Sequence, residues 1–188
     1  MINGYRVRDY NVLVTFHQND KMRAEEEIVE RVQQADLVLE DMMESSVAGL
    51  IMLRINGEGK EAVRRLRAFA MRFPDVFRYT HRWIPIEEWV SSEPEAMISA
   101  ARTFGARIVD GDRWRIDVEK RRYQGGSSQD LVRMLAEHIH QGMVDLDGPE
   151  MVLLVQIIED FAGFSLVRED EVLDINLVRK HTGLARIS

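Results

Sequence analysis

Three adjacent cations, Lys120, Arg121 and Arg122, are the residues of this chain whose types and spacing best suit chemistry. They follow a stretch, residues 114–118, in which apolar and polar side chains alternate as in a half-buried β-strand. A Gly-Gly-Ser-Ser turn and an amphipathic helix come next. Cations at a strand end beside a helix N-terminus can hold phosphate groups through charge and hydrogen bonds. The stretch therefore predicts a contact with a phosphate backbone.

Other polar side chains near this stretch could contribute to the same contact. Arg113 and Arg115 lie on the polar face of the predicted strand, where surface ion pairs with Asp117 and Glu119 are the alternative. Ser127, Ser128 and the backbone amides after Gly126 form a helix N-terminus, where the partial positive charge favours a phosphate, but plain N-capping is the favoured role of at least one of the two serines. For the three cations, the alternative is a charged strand end that discourages edge-to-edge pairing. The predicted binding residues are Lys120, Arg121, Arg122, Arg113, Arg115, Ser127, Ser128 and Arg133.

No group of residues indicates catalysis. His138 and His140 are two positions apart on a predicted helix, so they face different directions and cannot form an i, i+4 metal pair. Asp145 and Asp147 precede Pro149, and a turn capped by aspartate explains them more simply than a magnesium site. The turn-like residues 56–59 lack the third glycine of a nucleotide-binding loop. We expect no catalytic residue, no metal and no cofactor.

The charge of the chain restricts any nucleic-acid contact to a local surface. The 188 residues carry a formal charge of −7, which opposes nucleic-acid binding as a bulk property. Cations are nevertheless in excess locally, with eight Lys or Arg against three Asp or Glu in residues 54–82, and seven against four in residues 102–122. Four arginines of a predicted helix could make a second contact, although a solvated face is the simpler interpretation. They are Arg64, Arg65, Arg67 and Arg72.

Composition favours a cytoplasmic protein. There is no cysteine, so disulfides, thiolate zinc sites and cysteine nucleophiles are excluded. We find neither an apolar run suited to a signal peptide nor a stretch long enough for a membrane span, and we expect no membrane partner.

The first half of the chain predicts a split-βαβ, ferredoxin-like domain. Its pattern alternates short apolar strands with two helices of 3.6-residue periodicity, in the order β-α-β-β-α-β. The predicted elements are strand 11–16, a helix from Lys21 to about Ala35 capped by Asp20, strands 37–39 and 50–55, helix 60–73 and strand 76–84.

The second half predicts a separate α/β domain, which begins near Ser91-Ser92-Glu93-Pro94. A helix over residues 96–104 with Ser92 as its cap, the strand with its cations, and a serine-capped helix ending near Gly142 come first. Two strands rich in β-branched residues, 151–158 and 161–167, follow. The predicted division is a ferredoxin-like domain over 1–90, an RNA-binding domain over 91–170 and a tail over 171–188.

Residues 94–168 resemble a THUMP domain, the RNA-binding module of several tRNA-modifying enzymes. The resemblance rests on the strand-plus-cations element, the helix start at Ser127-Ser128, and the segment Val144-Asp145-Leu146 followed by Pro149 and two hydrophobic strands. The preceding half resembles the ferredoxin-like domain that often accompanies THUMP.

The resemblance implies binding of the acceptor end of tRNA by shape and phosphate contacts. Related enzymes carry a methyltransferase or a thiolation domain, and we expect neither in this chain. It is most similar to the adaptor that helps a separate acetyltransferase make N4-acetylcytidine in tRNA. A ligand-sensing or oligomerisation module of ferredoxin-like type, without RNA binding, is the alternative.

Overall fold

The first sheet has the strand order β4-β1-β3-β2 that the ferredoxin-like prediction requires. Neighbouring strands are antiparallel, and the two helices connect β1 to β2 and β3 to β4. The structure, a computed structural model, describes residues 7–187. The elements are β1 (Val12–Phe16), α1 (Lys21–Gln34), β2 (Leu39–Glu44), β3 (Leu50–Ile55), α2 (Gly59–Arg72) and β4 (Thr80–Pro85).

Apolar side chains spaced three or four residues apart attach both helices to this sheet. Ile28 and Val32 of α1, and Val63 and Leu66 of α2, are almost completely buried in one core. The strands contribute their alternate side chains to that core, including the indole of Trp83.

A buried carboxylate changes where β4 begins. Glu27 of α1 accepts hydrogen bonds from the backbone N–H groups of Arg78, Tyr79 and Thr80, and from the hydroxyl of Thr80. Since these amides bond to the carboxylate, the predicted strand 76–84 is shorter, starting at Thr80 after a 3₁₀ turn at Pro74–Val76.

One other predicted boundary of this half was also wrong. The second strand covers Leu39–Glu44 rather than residues 37–39, and its acidic residues lie along the edge of the sheet. Asp20 occupies the N-cap position of α1, as predicted, but its side chain makes no cap bond, because it ends a 3₁₀ turn that runs directly into the helix.

The last part of the chain, predicted as a tail, packs with the first half. The short strand β10 (Leu173–Asp174) pairs antiparallel with β4 and becomes an edge of the first sheet. Helix α5 (Ile175–His181) buries Ile175 and Val178 in the first core. The first compact unit therefore combines the residues up to Ile86 with those from Asp170 onward, and the second is Glu87–Glu169.

The second unit has a mixed sheet in the order β5-β9-β8-β6-β7. Strand β6 is parallel to β7 and β8, whereas β9 is antiparallel to both β5 and β8. Its elements are β5 (Glu88–Ser91), α3 (Pro94–Gly105), β6 (Arg113–Arg121), α4 (Ser128–Ala136), β7 (Met143–Val144), β8 (Met151–Ile158) and β9 (Phe161–Val167).

Helices α3 and α4 bury Met97, Phe104, Leu131 and Leu135 in one core with alternate side chains of β6 and β8. The division between the units lies before β5, because β5 pairs with β9, whereas the sequence indicated a boundary near Ser91. Helix α4 ends at Ala136, earlier than predicted. In the part of the chain described, no helix is both long and apolar enough to cross a membrane.

Ser92 does not cap α3. Glu93 occupies the N-cap position, and Pro94 is the first residue of the helix. The hydroxyl of Ser92 instead donates to the carbonyl oxygen of Glu159 over 3.0 Å, which joins the start of α3 to the end of β8.

Candidate nucleic-acid interface

The alternation of β6 divides its charged residues between two sides of the sheet. Trp114 and Ile116 face the core beneath α3 and α4. Residues with odd numbers, from Arg113 to Arg121, lie on the opposite side, while Lys120 has the same orientation as Ile116. The three adjacent cations therefore do not point in one direction.

Arg121 is held inside the second unit. Its Nη1 donates to Oε1 of Gln156 over 2.8 Å, and its Nη2 lies 2.7 Å from Oε2 of Glu119. Gln156 is fully buried, and only 21% of the Arg121 side chain is exposed. These contacts make Arg121 a link between the parallel strands β6 and β8.

Arg113 and Arg115 are also paired within the unit. Arg113 lies 3.3 Å from Asp145 and 3.6 Å from Glu150, at the two ends of the loop before β8. Arg115 lies 3.0 Å from Asp117 and donates to the carbonyl oxygen of Leu146 over 3.1 Å. The ion pair with Asp117 that the sequence offered as an alternative is thus present for Arg115, whereas Arg113 pairs with two acidic residues of the loop and not with Asp117 or Glu119.

Lys120, Arg122 and Arg133 project toward solvent. The Lys120 ammonium has a long contact of 3.4 Å with the carbonyl oxygen of Tyr123. Arg122 has a φ of +53°, which ends β6, and its guanidinium is 3.4 Å from Glu159. Arg133 is 74% exposed and 4.0 Å from Asp130. Such solvent-exposed contacts contribute little stability, so these three side chains can replace them with a phosphate contact at a small cost in free energy.

The N-terminus of α4 already holds a carboxylate. The Ser127 hydroxyl accepts from the backbone N–H of Asp130 over 3.1 Å, and the Asp130 carboxylate accepts from the Ser127 hydroxyl over 2.6 Å. The hydrogen bonds that this carboxylate accepts from the hydroxyl and the backbone N–H of Ser127 hold the pKa of Asp130 below its ordinary value. Ser127 is therefore an N-cap, and Ser128 is the first residue of the helix. A phosphate at this end would meet the negative charge of Asp130.

The excess negative charge of the chain is confined to the second unit. Residues 87–169 contain nine Lys or Arg and sixteen Asp or Glu, a balance of −7. The rest of the chain has sixteen of each and is neutral. Any phosphate contact in the second unit must therefore be small and local.

Two of the four arginines of α2 are paired within the first unit. Arg64 is 2.7 Å from Glu171 and 3.3 Å from Asp170, and Arg65 donates to the backbone oxygens of Ala35 and Asp36. Trp83 and Trp89 are both buried, so neither indole ring is exposed for stacking on a base.

The aspartates before Pro149 form the turn that the sequence favoured. Oδ1 of Asp145 accepts from the N–H groups of Asp147 and Gly148, and these bonds lower the pKa of Asp145. Residues 7–187 contain no cluster of three or more His, Asp or Glu arranged to hold a metal.

Three exposed apolar residues, Met143, Val144 and Leu146, were not singled out from the sequence as a surface. Val144 and Leu146 had entered only through the resemblance. Strand β7 is only two residues long and a turn follows it. The apolar types of these residues alone do not predict that their side chains are exposed.

Comparison with known proteins shows similarity in structure but not in sequence. No family profile matches the chain, and no curated protein matches it significantly. PH1313 from Pyrococcus horikoshii superposes with a TM-score of 0.64 at 14% identity, over 88% of this chain and 55% of that one. TrmN from Thermus thermophilus gives 0.58 at 14%, over 91% and 48%.

A 4-thiouridine synthetase solved as an RNA complex with bound ATP has a TM-score of 0.50 at 10% identity, over 88% of this chain and 42% of its own. The chain thus spans about half the length of the solved proteins that it resembles. The similarity covers both units and confirms the predicted fold class, a ferredoxin-like unit followed by a THUMP-like unit.

Proposed function

We propose that this protein binds tRNA in the cytoplasm and presents its acceptor end to a separate modifying enzyme. One observation carries the proposal: the 4-thiouridine synthetase that was crystallised with RNA shares its fold over 88% of this chain. N4-acetylcytidine formation is the favoured modification, because a ferredoxin-like half joined to a THUMP-like half resembles the stand-alone adaptor of that reaction.

Lys120, Arg122 and Arg133 are the residues that we propose as phosphate contacts in the second unit. All three are exposed, and each has only contacts of 3.4 Å or longer to other polar groups. Arg113, Arg115 and Arg121 are assigned instead to holding β6 and the loop before β8, because each guanidinium contacts two other polar groups of the unit. The proposed contact is smaller than the eight residues that the sequence predicted.

In this proposal the chemical step belongs to the partner enzyme. The sequence supplies no nucleophile with an adjacent base and no glycine-rich cofactor loop that could be assigned to such a step. The chain would contribute affinity and orientation, which bring the target nucleotide within reach of a catalytic site elsewhere.

Binding of labelled tRNA with an intact or a trimmed single-stranded 3′ end tests the proposal. We expect the intact tRNA to bind at low salt, the affinity to fall as salt is raised, and the trimmed tRNA to bind more weakly. Equal affinity for both would exclude recognition of the acceptor end. Failure to bind tRNA even at low salt would instead favour the ligand-sensing or oligomerisation module.

The adaptor role is tested separately by tRNA acetylation with a purified acetyltransferase. Addition of the chain should raise the amount of N4-acetylcytidine formed, whereas the chain alone should form none. If tRNA binds but addition has no effect with the acetyltransferase, the partner must belong to another class of modifying enzyme.

A further inference from the structure

The second unit exposes large apolar side chains at one place only within the described chain. Val109, Met143, Val144 and Leu146 are between 58% and 68% exposed. The loop that carries Val109 lies beside β7, because Asp112 accepts from the N–H of Val109 through its carboxylate and from the N–H of Met143 through its carbonyl oxygen. We call these four residues the β7 patch. Grouped apolar exposure of this kind marks interaction sites on soluble proteins.

The β7 patch lies at an open edge of the sheet. The N–H groups of Met143 and Asp145 donate inward, to the carbonyl oxygens of Asp112 and Trp114 over 2.8 and 2.9 Å. Because successive amides of a strand point to opposite sides, the N–H of Val144 points away from β6. Among residues 7–187, no strand pairs with that outer side. An added strand can bond to such an edge.

The charges around the β7 patch select the kind of partner. Five acidic residues occur in the two segments that form it, Asp110, Asp112, Asp145, Asp147 and Glu150. Arg113 pairs with two of them, and the unit as a whole has a balance of −7. Phosphates would be repelled here, and a second copy of this chain would bring its own acidic edge. A basic polypeptide is complementary.

We propose that the β7 patch binds an extended segment of a partner protein in which apolar residues alternate with Lys or Arg. The segment adds a strand to the outer edge of β7. Because Met143 and Val144 point to opposite faces of the sheet, the apolar residues of the segment lie beside Val144, and its cations lie on the other face, which carries Asp145. The inference does not depend on RNA binding, and the surface is separate from Lys120 and Arg122, which lie at the other end of β6.

Two variants separate the hydrogen-bonding and apolar contributions of the edge. Val144→Pro removes the outward N–H but keeps the two inward N–H groups of its neighbours. Leu146→Lys removes an apolar side chain and adds a charge that repels a basic partner. Val38→Lys is the matched control, because Val38 is 63% exposed in the first unit.

The probe is a fluorescein-labelled synthetic peptide, Lys-Val-Lys-Ile-Lys-Val-Lys, followed by fluorescence anisotropy. A second peptide has glutamate in place of each lysine. We expect saturable binding of the lysine peptide only, weakened about tenfold or more by Val144→Pro and by Leu146→Lys, a loss of roughly 1.4 kcal/mol. Val38→Lys should bind as the parent protein does, and tRNA affinity should be unchanged in all three variants.

Several results would overturn the inference. The proposed site is excluded if the lysine peptide fails to bind at millimolar concentration, if the two peptides bind equally well, or if tRNA displaces the bound peptide. Undiminished peptide binding by a folded Leu146→Lys protein would also overturn the inference. If Val144→Pro does not fold, Leu146→Lys alone tests the inference. A dimer in light scattering that Leu146→Lys dissociates would identify the occupant as a second copy.

Discussion

The guanidinium of Arg121 donates to the side-chain oxygen of Gln156, which lies fully buried on the neighbouring parallel strand, over 2.8 Å. Replacement of Arg121 by alanine would remove this donor and an ion pair with Glu119. We predict a loss of about 1 to 3 kcal/mol in unfolding free energy, measured by urea denaturation, because a buried polar group loses its hydrogen bond. Lys120→Ala is the control and should be neutral. If Arg121→Ala instead leaves the stability unchanged and weakens tRNA binding, Arg121 belongs to the RNA-binding site.

Lys120 and Arg122 should affect binding without affecting stability. The double change to alanine removes two exposed cations whose contacts within the protein are 3.4 Å long. We expect weaker tRNA binding and a plot of log affinity against log salt whose slope is shallower by about two. The double variant should unfold in urea at the same midpoint as the parent protein.

A matched control for that pair is the double change of Lys180 and Arg186 to alanine, since both residues are exposed and belong to the first unit. Its salt slope should equal that of the parent protein. If the control changes the slope and the Lys120 and Arg122 pair does not, the phosphate contacts lie on the first unit.

The capping box of α4 predicts a loss of stability in acid. The Ser127 hydroxyl holds the pKa of Asp130 below 3.8, so the unfolded chain binds more protons than the folded one in that range. The stabilisation is complete above pH 3.8 and is lost as the pH falls through the lower pKa that Asp130 has in the folded chain. Ser127→Ala should cost about 1 kcal/mol at neutral pH. Its unfolding free energy should also fall less steeply in acid, as followed by denaturant titration.

His81 predicts a second pH dependence near neutrality. Burial lowers the pKa of His81 from 6.5, and the positive charge of His17 lowers it further, whereas Asp174, Glu27 and Asp20 oppose this. The folded chain therefore binds fewer protons than the unfolded chain just below pH 6.5, and stability rises with pH across that window. His81→Gln should flatten this rise. His140→Gln, at an exposed position, should leave it unchanged.

Elements with a strong local pattern of apolar side chains, continuous or periodic, were predictable from the sequence. The bounds of β8 and β9 agree with the predicted strands, because Val152 to Val155 and Ala162 to Val167 are apolar or small over their whole length. The start of α4 at Ser128, directly after its cap Ser127, was likewise indicated by the two serines. The order of strands in the first half gave the ferredoxin-like topology.

Features that depend on a distant partner were not predictable. Arg121 and Gln156 are 35 positions apart, and Glu27 and Thr80 are 53 apart, so no local pattern shows that these polar groups are bonded to each other. The consequence for the candidate site is direct. Three cations in a row appeared equivalent, yet one is held by a buried amide while its two neighbours face solvent.

The pairing of β10 with β4 has a consequence for synthesis of the chain on the ribosome. The first sheet gains its edge strand, and its core gains Ile175 and Val178, only after all of residues 87–169 have emerged. The second unit is continuous in sequence and can complete its own sheet earlier. The half translated first is therefore the half that finishes folding last, and until then it exposes the flank of β4 to chaperones and to neighbouring nascent chains.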